Sequence, residues 1–215
     1  MTQTKIGVGM INATSIGDAK VLQGDGSWVT PSAGALTFIN TTDISSAATY
    51  NFTAVDASSY DAYRMVLMNV IPVTDTVIFY MRTSTDGGSS YDSGGSDYRW
   101  SNSVSYDETT TTLRPFDYAD AQIVLTSTTA GTHSQVGSES NEDGVSGYID
   151  ILGPHLTKTT TIIYRLGHLS ASTFIVTVSG AANRISAADV DAGQFYFSSG
   201  NIESGTVNVY GLANA

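Results

Sequence analysis

From Ala35 onward, apolar residues fall in short runs separated by glycine, serine, asparagine and aspartate. The runs at 35–40, 48–53, 62–70, 76–84, 96–104, 121–127, 145–152, 159–166, 172–179, 193–198 and 205–210 predict strands. Ile162, Tyr164 and Leu166 alternate with Ile163 and Arg165; Phe174, Val176 and Val178 alternate with Ile175 and Thr177; Val207 and Val209 alternate with Thr206 and Asn208. A period of two sends neighbours to opposite faces, so these strands expect one face in a core and one in water. Thr76-Val77-Ile78-Phe79-Tyr80-Met81 is apolar on both faces, which predicts a strand covered on both sides.

Between the runs stand Asp86-Gly87-Gly88, Gly94-Gly95, Asn141-Glu142-Asp143-Gly144 and Ser199-Gly200-Asn201, residues that tolerate positive φ and so mark chain reversals. The single helical turn expected lies near 184–192. About ten strands at this spacing, with no internal repeat, predict an all-β, two-sheet β-sandwich of jelly-roll type over 35–215. Two connections, 84–96 and 127–144, are long and polar, as both binding loops and idle loops can be.

Residues 1–34 lack the pattern. They hold six glycines and only brief apolar pairs such as Val21-Leu22. A segment of this kind cannot bury enough surface to offset its own ordering. It is either an attachment arm that orders against a partner or a solvated tail.

Charged residues make up 13% of the chain, and 27 serines and 28 threonines take their place on the surface. Threonine favours strands and serine favours turns, which agrees with the pattern. The formal charge of −11 argues against nucleic acid as a partner, since counterion release from phosphate needs basic side chains. It argues equally against an anionic membrane surface, and no apolar run reaches the ~20 residues of a spanning helix. The opening Met-Thr-Gln-Thr-Lys lacks the layout of a signal peptide, so synthesis and assembly in the cytoplasm are expected. With no cysteine, disulfides, thiolate zinc and a cysteine nucleophile drop out together.

Catalytic motifs are missing as well. The sequence has no Gly-x-Ser-x-Gly elbow, phosphate-binding Gly-x-x-x-x-Gly-Lys loop or His-Glu-x-x-His pair. His133, His155 and His168 fall in or near predicted turns, where solvation is expected. The carboxylate clusters Asp92/Asp97, Asp107/Glu108, Glu139/Glu142/Asp143 and Asp189/Asp191 sit in polar stretches, without the burial a general acid needs. No catalytic residue, cofactor site or firm metal site is therefore expected. Calcium remains a candidate at Glu139, Glu142 and Asp143, and at Asp189 and Asp191, because loop carboxylates suit a hard cation. Tyr91, Tyr98, Trp100, Tyr106 and Tyr118 crowd a stretch interleaved with Asp92, Asp97, Arg99 and Asp107. Rings beside polar groups can stack on sugar faces. Tyr91 and Tyr106, near loops, are the candidate glycan contacts, whereas Trp100 is expected in the core or an interface.

Val21-Leu22-Gln23-Gly24-Asp25-Gly26-Ser27-Trp28-Val29-Thr30-Pro31 resembles a segment of phage tail-fibre and appendage proteins, in which Gly-Asp-Gly-Thr/Ser-Trp stands near a junction between modules. The segments 80–92, 195–202 and 205–211 resemble strand-loop pieces of phage and prophage structural proteins. The resemblance implies a place in a virion, assembled in the host cytoplasm and exposed on the particle, with trimers as the usual state. In physical terms, Gly24, Asp25 and Gly26 make a tight turn that presents Trp28, and Pro31 stiffens the exit. If three copies met, Val21, Leu22 and Trp28 would close an apolar seam that one arm cannot.

Three functions follow as expectations. In the first, a non-enzymatic appendage docks into other virion proteins through residues 1–34 and meets a host surface glycan with its sandwich. In the second, a decoration or cement protein lays the arm across capsid subunits. The third, a glycan-cleaving spike, is disfavoured by the missing acid–base pair.

Overall fold

A strand with one apolar face must lay that face against another sheet, and most of this chain meets the requirement that way. The structure, a computed structural model, describes residues 21–22, 28–29, 36–53, 55, 60–107, 112–128 and 133–213. The chain divides into two compact units, Met1–Gly34 and Ala35–Ala215. In the first, β1 (Val21–Leu22) pairs antiparallel with β2 (Trp28–Val29), with Leu22 opposite Trp28. Gly24, Asp25, Gly26 and Pro31 lie outside the described residues.

The second unit contains β3 (Thr37–Ala47), β4 (Tyr50–Phe52), β5 (Tyr60–Pro72), β6 (Phe79–Ser84), β7 (Tyr98–Tyr106), β8 (Phe116–Asp120), β9 (Ile123–Val124), β10 (Val145–Leu152), β11 (Thr161–Leu169), β12 (Ile175–Arg184), β13 (Ala192–Phe197) and β14 (Ile202–Ala213). Eight strands form one sheet in the order β3-β14-β5-β10-β11-β12-β7-β8, and four form the other in the order β4-β13-β6-β9. All pairings are antiparallel. The unit is thus an all-β, two-sheet β-sandwich. Its chain passes back and forth between sheets as a jelly roll's does, although the division into eight and four is uneven.

The core lies between the sheets. Ile162, Tyr164, Leu166, Val176, Val178, Val207 and Val209 are buried, while Ile163, Arg165 and Ile175 face outward. From the small sheet, Phe195 stands among Tyr50, Phe52 and Phe79 at ring-centre distances of 6.1, 5.4 and 5.5 Å. Polar contacts also cross the gap, among them the Thr83 N–H of β6 donated to the Tyr98 hydroxyl of β7 at 2.8 Å. Asn102 of β7 donates from Nδ2 to the carbonyls of Val124 and Thr126, both at 2.9 Å, and accepts from the Tyr164 hydroxyl. Gly180 is required beneath it, because a Cβ there would collide with Asn102 Oδ1 and the Tyr164 ring.

The run at 76–81 is buried on one face only: Val77, Phe79 and Met81 are in the core, while Thr76, Ile78 and Tyr80 are half-buried under the protein's own side chains, which corrects the expected cover on both sides. Tyr80 packs on Tyr196 at 5.4 Å, and the Arg82 guanidinium lies 5.0 Å from the centre of the Tyr196 ring. The segment 184–192 contains no helix, which corrects the expected helical turn. Its amides are drawn elsewhere: Val190 N–H donates to Pro154 O at 2.7 Å and Asp191 N–H to Ser84 O at 3.0 Å. Those bonds fix Val190 in the core and leave no i−4 ladder.

Candidate functional site

The site is built where the large sheet runs out. Strand β7 alternates cleanly: Tyr98, Trp100, Asn102 and Val104 point inward and are buried, whereas Arg99, Ser101 and Ser105 are exposed. Trp100, 5% exposed, donates from Nε1 to Asp120 Oδ2 at 2.9 Å, which ties the core side of β7 to the end of β8. β8 is the last strand of the sheet, and its pairing with β7 shifts register between Tyr98 and Trp100. Such an irregularity re-aims side chains at an edge. Here it leaves Phe116 70% and Tyr118 78% exposed.

Beside these rings is a shallow cleft of about 390 Å³ whose lining includes Arg99, Ser101, Phe116, Tyr118, Ala181 and Asn183. The floor follows from register, since Ser101 lies opposite both Ala181 and Phe116, and Asn183 lies opposite Arg99. Small side chains on the inner strands and large ones at the edge make the depression. Asp117, at its margin, accepts the Ala119 N–H through Oδ1 at 2.9 Å. Two apolar ring faces above hydroxyl, amide and guanidinium groups can hold a sugar by stacking and hydrogen bonding.

Of the residues singled out from sequence, Tyr118 is in this cleft and Trp100 backs it from the core. Tyr91 and Tyr106 are elsewhere. The Tyr91 hydroxyl is enclosed without a hydrogen-bond partner, and burial, then Asp191 and Asp86, push its pKa up. Tyr106 is half-buried and stacks with His133 and Phe174 at 6.5 and 6.3 Å. Phe116 was not among the expected contacts. Its signal was the alternation of Arg114, Phe116 and Tyr118 with Leu113, Pro115 and Asp117.

The calcium candidates do not converge. Among the described residues no three histidine, aspartate or glutamate side chains form a group that could hold a metal ion. Glu142 is 3% exposed and accepts the Glu139 N–H at 2.7 Å, so it closes its own turn. Glu139, Asp143 and Asp189 are exposed, and Asp191 is half-buried with Oδ1 enclosed. Asp92 meets Arg184 at 2.5 Å. The 84–90 loop is organised around Asp86, which accepts bonds from Ser84 and Ser90 that hold its pKa down at about 2. Two histidines depart from the expected solvated turns: His168 lies within β11, 2% exposed, and His155, in a turn, is half-buried with Nε2 3.6 Å from Asp61.

No protein-family model, curated protein or solved structure gives a significant match to this chain. What the fold and site define is therefore a class: a β-sandwich with an open, ring-bearing cleft at one end of its larger sheet.

Proposed function

We propose that this chain is a non-enzymatic structural protein of a bacteriophage particle. In this reading it is an appendage attached through residues 1–34, and its sandwich meets a host surface glycan. The observation that carries the binding role is the exposure of Phe116 and Tyr118 over the cleft, on rigid strands and not on the long loops. Large apolar rings left in water on a sheet edge cost the folded state, and a stacking partner offsets that cost. The Gly24–Trp28 resemblance supports the place in a virion.

The double variant Phe116→Ala/Tyr118→Ala is expected to lose binding to host cells by roughly tenfold or more. Its stability should stay within about 0.5 kcal/mol of the parent, because exposed rings contribute little to the core. Cell-binding assays paired with thermal melts check both. Undiminished binding would remove the cleft from the account.

The decoration reading is kept because residues 1–34 form a unit of their own, as an arm laid across capsid subunits would. Copy number per particle separates the two.

A further inference from the structure

The outward face around the cleft has a charge unlike that of the rest of the protein. The chain holds 20 acidic and 9 basic residues. Yet the outward positions of β7, β11 and β12 carry two arginines and no carboxylate, and the acidic residues stand at the margins, Asp117 on β8 and exposed Asp107 just past β7. Arg99 faces out from β7 and Arg165 from β11, both exposed. Arg114, just before β8, is exposed on the same side as Phe116, since Leu113 between strands packs inward on the core. Among the described residues none of the three guanidinium groups forms an ion pair or hydrogen bond, in contrast to Arg64, held by Asp150, and Arg184, held by Asp92. Asp117, the one carboxylate at the cleft, is occupied by the Ala119 amide.

Register fixes the spacing. Arg165 lies opposite Ser179, and Ser179 opposite Ser103. The bonds Asn102 N–H to Pro115 O and Val104 N–H to Leu113 O place Arg114 beside Ser103. Arg165 and Arg114 thus stand three strands apart on one row, about 14 Å between Cα atoms, and Arg99 lies four residues along β7, about 13 Å away. Ser101, Ser179, Ala181 and the Phe116 ring occupy the ground between them. A single carboxylate would engage one guanidinium; a chain of acidic units can engage all three.

We infer that this face binds an acidic polysaccharide, with Arg99, Arg114 and Arg165 taking its carboxylates while Phe116 and Tyr118 stack on its sugar rings. The inference rests on the glycan-binding reading above and narrows it to one ligand class. Guanidinium suits the task because its planar fork pairs with carboxylates and it stays charged at every working pH. The net charge of −11 opposes any polyanion alike, so the attraction must come from this local arginine face, and the sugar-stacking rings of Phe116 and Tyr118 favour a polysaccharide over a duplex whose bases are already stacked.

The test measures binding of the full chain to polygalacturonate, alginate and polysialate, with dextran and mannan as neutral polysaccharides and duplex DNA as a sugar-phosphate polyanion. The expected result is binding to at least one acidic polysaccharide that weakens several-fold as salt is raised. Arg99→Gln/Arg114→Gln/Arg165→Gln should weaken it by about tenfold or more. All three side chains are exposed and unpaired, so the triple variant should fold, and an unchanged melting curve verifies that. Equal, salt-insensitive binding of neutral polysaccharides by parent and variant would overturn the inference and leave the glycan reading standing. DNA binding of equal strength would also overturn it. Failure to bind any of these polysaccharides would overturn it too, and the cell-binding result for the Phe116/Tyr118 variant then decides the broader reading by itself.

Discussion

Phe195→Ala is expected to lower the free energy of unfolding by about 4 kcal/mol, the middle of the range for removing a buried aromatic side chain. Phe195 is 1% exposed, and its ring contacts Tyr50, Phe52 and Phe79 from three neighbouring positions of the small sheet. Those neighbours are themselves wedged between sheets, so the cavity cannot close by local movement. The Phe195 ring stands at the centre of the small sheet, with Met81, Phe79 and Phe197 buried around it. Chemical denaturation of the parent and variant measures the loss. A change below 1 kcal/mol would mean that this aromatic cluster is not the centre of the core.

Acid should destabilise the protein through His168 by up to about 3 kcal/mol. Burial holds its imidazole at a pKa of about 4, well below the ordinary 6.5, and the Ser134 carbonyl only partly opposes that. Nε2 lies 3.1 Å from the carbonyl and donates to it in the neutral ring, while Nδ1 is enclosed with no partner. A proton on Nδ1 would therefore place a charge in the core. Above pH 6.5 both folded and unfolded chains carry neutral imidazole, and the stability is fully present. As pH falls from 6.5 towards 4, the unfolded chain takes up a proton that the folded one refuses, and stability is lost. His168→Leu should flatten the slope of unfolding free energy against pH above about pH 5, before most carboxylates titrate. If the variant kept the parent's slope there, the buried neutral histidine would be refuted.

The sequence pattern located what is decided locally. Ile162, Tyr164 and Leu166 alternate with exposed positions, and their faces follow from side-chain period alone. Asp86-Gly87-Gly88 turns the chain with φ values of 69° and 83° at its two glycines, as that dipeptide favours. The lengths of β3 and β14 were not legible in this way. Thr41-Thr42-Asp43 continues β3 only because β14, some 160 positions later, supplies hydrogen-bond partners through Asn208 and Thr206. No local preference announces such pairing.

β8 was hidden for a related reason. Pro115, Asp117 and Asp120 interrupt an apolar run, and the large rings of Phe116 and Tyr118 lie on the water side, opposite to the usual assignment. The cleft was legible only as an aromatic-rich stretch with Tyr118 and Trp100 in it. Which rings were free depended on the register shift between β7 and β8 and on Trp100 turning inward to Asp120. His168 misled because the apolar run was expected to end at 166, whereas β11 continues through Gly167 and His168 to Leu169.

The central claim is a place on a phage particle with the ring-bearing face turned to the host. The most direct test is the location and copy number of this chain in purified particles by cryo-electron microscopy. The account predicts a few copies at the tail, with residues 1–34 against another virion protein and Phe116 and Tyr118 facing away from the particle. Density repeating over the capsid lattice, or no copies in the particle at all, would contradict it.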